Sequence, residues 1–407
     1  MPKVPNANRL GWSTFRTDMF GRTKVSEGFT IFDSQHRYKD SGDFSDETAG
    51  TATVSFLANE SSALLSIGTA SGDKITRESK RVFPYQPGKS LQVMQTFVFA
   101  PPKAGLRQRV GYFSRQNGVY LEQDGLSTYL VLRSYTSGSV VNTRVAQANW
   151  NVDPLDGTGP TDMVLDLSKA QIFITEYEWL GVGSVRAGFM INGVFVTVHQ
   201  FNHANEVTAV YMTTATLPIR YEIENTSATA STSAMKQICA TVISNGGYQR
   251  STEDWTAART TSVNISSDFY PIVSILMASG RTDSVIIPSG ISILPTSQGN
   301  YEFALIKNPA TLTGGTWVTH TASSGNVEYN VSSTGMTGGL VVFQGFIASS
   351  NQASSQINLG NNDIARFDLQ LGRTNATSPT SDVLVLALRS LGGTQGCIGS
   401  LAWFDLV

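Results

Sequence analysis

The sequence predicts an all-β protein of two antiparallel β-sandwich domains, the first jelly-roll-like, preceded by an N-terminal arm. Three observations lead there. Short runs of alternating or continuous apolar residues recur along most of the chain, each bounded by Gly, Pro, Asn or Ser. Neither a sustained 3.6-residue apolar period nor strand–helix alternation dominates, which argues against solenoids and doubly wound folds. With 407 residues, 41% of them hydrophobic and 15% charged, the chain can bury more than one core.

Residues 1–45 hold turns and scattered apolar anchors such as Phe29, Ile31 and Phe32. They read as an arm ordered against a neighbouring domain or subunit, because aromatic side chains are costly to leave in water. From residue 46 the strand-like runs are "TATVSFLA", "SALLSIG", "SLQVMQTFVFA", "VGYFS", "GVYLEQ", "STYLVLRSY" and "AQIFITEYEW". In "SVRAGFMINGVFVTVHQFNHAN" (184–205), Asn192-Gly193 between alternating residues is the strongest short signal for a two-residue hairpin turn. That turn sets Ile191 opposite Val194, Phe189 opposite Val196, Ala187 opposite Val198 and Arg186 opposite His199. "LPIRYEIENT" and "MKQICATVISNG" supply returning strands, which bounds the first sandwich at 46–265. The texture changes at "NISSDFYPIVSILMASG", and runs from "SVIIPSGISILP" to "LAWFDLV" suffice for a second sandwich at 266–407.

Composition narrows the function. A net charge of -2 offers no broad attraction for nucleic acid. The small basic run "KITRESKR" (74–81) contains Glu78 and reads as a solvated sheet edge. Cys239 and Cys397 are the only cysteines, far apart and outside any CxxC pattern, so two free thiols are expected rather than a disulfide scaffold. No apolar signal region opens the chain and no run approaches the roughly 20 apolar residues of a spanning helix, so assembly in the cytoplasm without membrane insertion is expected.

No catalytic set is complete. His199 and His203 are four residues apart, a zinc spacing on a helix, but they lie on a predicted strand and "HQFNH" lacks the metallopeptidase Glu. Glu176 and Glu178 in "FITEYEWLG" fall on one strand face about 6.5–7 Å apart at the backbone. That is compatible with acid/base work on a sugar, and with Trp179 they are the candidate glycan contacts. The third acid of the jelly-roll glucanase pattern, which this fragment resembles, is missing: residues 180–185 contain no Asp or Glu. Asp153, Asp156 and Asp162 in "NWNVDPLDGTGPTD" could offer calcium oxygen ligands, but the EF-hand spacing and distal Glu are absent, and structural Asx turns are the simpler reading. The expectation is a protein that is no enzyme and holds neither cofactor nor metal.

Taken in order, "AQANWNVDPLDGTG", "LDLSKAQIFITEYEWLGVGSVRAGFMINGVFVTVHQFNHANE" and "YMTTATLPIRYEIENT" resemble a region of tailed-bacteriophage structural proteins. The likeness covers roughly 105–230. Trp150, Asp153 and Asp156 belong to its loop, Trp179 through Arg186 precede the hairpin, and His199, Phe201, His203 and Asn205 close it. The resemblance implies a noncatalytic virion component assembled in the host cytoplasm, in a tail or host-attachment structure, with capsid decoration as an alternative. It implies as partners other virion proteins and copies of the same chain, with a trimer expected from the family context. The other reading is a carbohydrate-binding module or glycoside hydrolase acting on host-surface glycan.

Overall fold

Leu91, Val93, Gln95 and Phe97 are buried along Ser90–Val98 while the residues between them are half-exposed, a side-chain period of two that only an extended strand provides. The same logic shapes an all-β protein in the computed structural model, which describes residues 27–181, 183–249, 253–349, 355–358 and 368–406. Among these residues no helix is long and apolar enough to cross a membrane.

The first sandwich comprises β1 (Gly28–Gln35), β2 (Phe44–Ala49), β3 (Thr53–Leu57), β4 (Ser62–Ile67), β5 (Lys74–Ser79), β6 (Ser90–Val98), β7 (Leu106–Phe113), β8 (Gly118–Asp124), β9 (Ser127–Ser134), β10 (Val141–Ala146), β11 (Gln171–Tyr177), β12 (Ser184–Ile191), β13 (Val194–Asn202), β14 (Ile219–Asn225) and β15 (Ser233–Asn245). One sheet has the order β13-β12-β11-β6-β15-β4-β3, with β1 paired to the far half of β15; the other has the order β10-β9-β8-β7-β14-β5-β2. Their inner faces meet in one jelly-roll-like core. Leu65, Val93, Phe97, Phe173 and Phe189 from the first sheet pack with Ile75, Val110, Tyr112, Leu121 and Ile223 from the second. Tyr112 keeps its buried hydroxyl satisfied: it accepts from Leu217 N at 3.0 Å, and its single proton faces Ala215 O at 2.9 Å and Phe83 O at 3.0 Å.

The second sandwich holds β16 (Asp254–Ile265), β17 (Tyr270–Met277), β18 (Val285–Pro295), β19 (Gly299–Lys307), β20 (Thr311–Thr313), β21 (Val318–Thr319), β22 (Val327–Asn330), β23 (Gly335–Thr337), β24 (Leu340–Ser349), β25 (Ser355–Asn358), β26 (Arg373–Thr374), β27 (Thr380–Ser381), β28 (Val383–Ser390) and β29 (Gln395–Leu406). Its sheets run β16-β29-β18-β25 and β21-β22-β17-β28-β19-β24; β20-β23 and β26-β27 form two small hairpins. Val285, Ile287, Phe404 and Leu406 from β18 and β29 join the first core, so the two sandwiches share apolar contact.

Four local expectations change. Residues 28–45, assigned to the arm, carry β1, paired with β15 from Gly28↔Asn245 to Gln35↔Cys239; most of the arm, residues 1–26, lies outside the described residues. Strand β16 lies before the expected 265 boundary yet pairs with β29, so the second sandwich begins by Asp254. The run "KITRESKR" is not a solvated edge: β5 sits between β14 and β2, and Arg77 is only 1% exposed. The hairpin keeps its expected register from Ile191↔Val194 to Gly188↔Thr197, then a bulge at Val198 sets Ala187 opposite His199 and Arg186 opposite Gln200. A bulge inserts one unpaired residue and shifts every later pair by one.

Candidate functional site

Most of the residues singled out in the sequence are engaged in structural contacts. Asn192 and Gly193 form the β12–β13 turn with φ of 51° and 80°, both positive as a type I′ turn requires. Glu176 pairs with Arg186 at 3.0 Å and lies within 3.5 Å of Ser90 Oγ and 3.4 Å of Asn245 Nδ2. Glu178 lies just past the end of β11, with an exposed side chain and a backbone oxygen that accepts from Tyr211 at 2.7 Å. Trp179 turns inward, its Nε1–H donating to Met212 O at 2.9 Å and its ring edge-on to Tyr85. The three candidate glycan contacts therefore do not converge on one pocket.

The histidines are likewise occupied. His199 Nδ1 accepts from the Asn151 N–H at 3.2 Å, and its ring stands edge-on to Phe201. Burial lowers its pKa and favours the neutral ring. His203 stacks on Tyr211 at 4.0 Å between centroids, and its Nδ1–H donates to Gly183 O at 2.9 Å. Asp153 accepts from the backbone of Leu155 and Thr161, and Asp156 from that of Thr158, which makes this loop a set of Asx turns. Cys239 and Cys397 are free thiols; Cys397 sits in the second core, where burial pushes its thiol up to about 12.

A different place gathers polar groups. At one end of the seven-stranded sheet, the β7–β8 and β9–β10 turns and the approach to β14 face the β17–β18 loop and the β26–β27 hairpin of the second sandwich. Together they enclose a cleft of about 460 Å³, within the size range of small-ligand sites. Asn117 organises the wall on the first sandwich: its Oδ1 accepts from Tyr135 N and Thr213 N, and its Nδ2 donates to Thr213 Oγ1 at 2.7 Å. Arg115 is exposed at the mouth and donates to Thr377 O across the domain boundary at 2.7 Å. Arg373 closes the other side, donating to Glu78 at 2.8 Å and to Thr282 O at 3.4 Å. Asp283, Thr214 and Thr216 add further hydrogen-bonding groups.

From Glu78 an ion-pair chain crosses the outer face of the sheet. Arg220 bridges Glu78 (3.8 Å) and Glu222 (3.4 Å), Arg109 bridges Glu222 (2.8 Å) and Glu122 (2.6 Å), and Arg144 bridges Glu122 (2.6 Å) and Asp124 (2.8 Å). Strand alternation explains the grouping, since Glu78, Arg220, Glu222, Arg109 and Glu122 all stand on the face opposite Ile75, Tyr221, Val110 and Leu121. Burial alone would raise the Glu222 carboxyl, but the guanidiniums of Arg220 and Arg109 overcome it and hold the group at about 2. Burial dominates at Glu78, whose pKa is raised in spite of Arg373 and Arg220. Sequence reasoning missed this site because its members come from strands far apart in the chain; Glu78 inside "KITRESKR" was the available signal.

No family model matches the chain, and no curated protein matches it. Among solved structures it is similar to a β-glucanase of Bacillus licheniformis, with 11% identity over 56% of this chain and 100% of that one and a TM-score of 0.33. A GH16 protein of Bacteroides ovatus in complex with a glucan product aligns at 11% identity over 52% of this chain and 99% of that one, with a TM-score of 0.36. Arcelin-5, a lectin-like defence protein of Phaseolus vulgaris, aligns at 9% identity over 54% of this chain and 99% of that one, with a TM-score of 0.31.

Proposed function

We propose that the protein is a noncatalytic glycan-binding component of a bacteriophage particle, holding a sugar in the cleft between its sandwiches. The observation that carries the glycan part is the lining of that cleft, where Arg115, Asp283 and the Thr214 and Thr216 hydroxyls present donors and acceptors from both domains. A polyhydroxylated ligand needs such a mixture, and Tyr135 and Pro379 add apolar surface for its carbon-bound hydrogens.

The virion part is supported by the ordered resemblance across residues 105–230. A tail or host-attachment position would bring the cleft to host-surface glycans, and the partners would be copies of the chain and other virion proteins. A glycan array with the full chain tests the binding reading, and reducing-end release on any hit separates a lectin from a hydrolase. Binding should fall by about tenfold, near 1.4 kcal/mol, in Arg115→Ala or Asp283→Ala. An array with no hit removes the glycan reading. Mass spectrometry of purified particles that never finds the chain removes the virion reading.

A further inference from the structure

The sheet edges of this molecule are protected to different degrees. The edge of β13 is covered by the β10–β11 connection: Val198 O accepts from the N–H groups of Val152 and Asp153, and Gln200 N donates to Asn151 Oδ1. The edge strand β2 is met by the β26–β27 hairpin, with Asn375 N donating to Ser45 Oγ and Thr377 N to Glu47. Strand β10 carries Arg144, and β21 is two residues long. Charge, shortness and cover are the usual means of blunting an edge.

Strand β24 has neither charge nor shortness and, among the described residues, no cover, so that its only blunting feature is one bulge. It is ten residues long, LVVFQGFIAS, without a charge or a proline, and among the described residues it pairs with β19 alone. Leu340 is 65% exposed and Phe346 69%, with Val341 and Phe343 also open to solvent. The outward side of Leu340–Ala348 offers backbone donors and acceptors that a further strand can pair with. Having no charge, it offers nothing to attract a charged partner.

We propose that the outward edge of β24 joins two copies of this chain as an antiparallel strand pair centred on Gln344. The register follows from the strand itself. Phe343 pairs with Leu305 and Val341 with Ile306, so a bulge at Val342 leaves Val341, Gln344 and Phe346 on the outer face and Phe343 and Ile347 on the core side. With Gln344 opposite its own copy, Phe343 of each chain faces Gly345 of the other, which has no Cβ to obstruct it. Past the bulge, Val341 of each chain meets Phe346 of the other, so exposed apolar groups cover one another, and the two Gln344 amides can bond side by side. Such an interface is isologous and gives a two-fold dimer, not the trimer expected from family context. It stands independently of the glycan reading.

Sedimentation equilibrium of the full chain over a concentration series should show a species of twice the chain mass. Val341→Lys and Phe346→Lys should each return it to monomer while leaving the thermal unfolding of the monomer nearly unchanged, because both side chains are exposed. In a Cys239→Ser background, Gln344→Cys should cross-link to a dimer on mild oxidation, since facing residues of an antiparallel pair sit about 4.5–5.5 Å apart at Cα, within disulfide reach. A wild-type chain that stays monomeric throughout would overturn the proposal. So would an oligomer that survives both lysine variants and gives no Gln344→Cys cross-link.

Discussion

The β12–β13 hairpin and strand β5 lie in opposite sheets of one sandwich, yet they are held by interactions of different reach. The hairpin is closed by two residues with positive φ and by pairs that lie within 20 residues of one another; Val194 at its tip is 63% exposed. Strand β5 is held by partners scattered over the chain. Arg77 Nε donates to Gln237 at 2.6 Å, and its two terminal nitrogens each engage both oxygens of one carboxylate, Asp46 at 2.7–2.8 Å and Asp40 at 2.6 Å. Glu78, one residue on, reaches Arg373, 295 positions away. The difference teaches that turn chemistry defines the hairpin before the fold exists, whereas β5 acquires its place only once distant charges have converged.

The largest test of that contrast is Arg77→Leu. It should lower unfolding free energy by about 2–4 kcal/mol, between the costs of breaking an exposed and a fully buried ion pair, because Arg77 and Gln237 are buried whereas Asp40 and Asp46 are 36% and 29% exposed. Arg77→Lys should recover little, because a single ammonium cannot span two carboxylates and an amide in one plane. Denaturant titration reads both variants. A loss in Arg77→Leu smaller than about 1 kcal/mol would mean that the network is no more than a surface pair and would erase the distinction between the two regions.

Glu222 sharpens the same point through pH. Its carboxyl is held at about 2 in the folded chain against 4.5 ordinarily, so its stabilising contribution is fully present above 4.5 and is lost as pH falls from there toward 2. Glu78 has the opposite sign, since its raised pKa makes the folded chain take up a proton more readily. Comparing wild type with Glu222→Gln isolates the first effect. The stability difference should be flat from pH 7 down to about 4.5 and should narrow below that toward 2, because the protonated acid and the amide are alike in charge. A difference that does not change between pH 7 and pH 3 would mean that Arg220 and Arg109 do not hold this carboxylate as the geometry indicates.

These regions also show what can be read from a sequence. The strand runs, the all-β class and the turn at Asn192-Gly193 were legible because their signals are local: period-two alternation and a dipeptide that tolerates positive φ. The bulge at Val198 was not, because it is paired with a loop, residues 151–153, that nothing nearby in the chain announces. Burial of "KITRESKR" was hidden for a related reason. A run with this many charges looks solvated until Asp40, Asp46, Arg220 and Arg373 are known to surround it. Glu176 and Glu178 misled in the other direction: strand geometry put them on one face, but β11 ends at Tyr177 and Glu176 is paired with Arg186. The cleft between the sandwiches draws on both domains, so no contiguous motif could describe it.

The smallest expected effect lies at the hairpin tip, and it tests whether that region is local in the sense argued. A Cβ at Gly193 would meet no atom within 4 Å, so a substitution there is resisted by backbone conformation alone, at φ of 80°. Gly193→Val should therefore cost about 1–3 kcal/mol, the range for a branched residue forced into a left-handed conformation. Gly193→Asn should cost less, because Asn visits that region readily, as Asn192 already does at φ 51°. Thermal unfolding of the two variants separates conformation from contact: both side chains would enter the same open space, so only their backbone preferences differ. Equal midpoints for Val and Asn would show that the turn does not set the register of β12 and β13, and that the hairpin, like β5, is held from elsewhere in the fold.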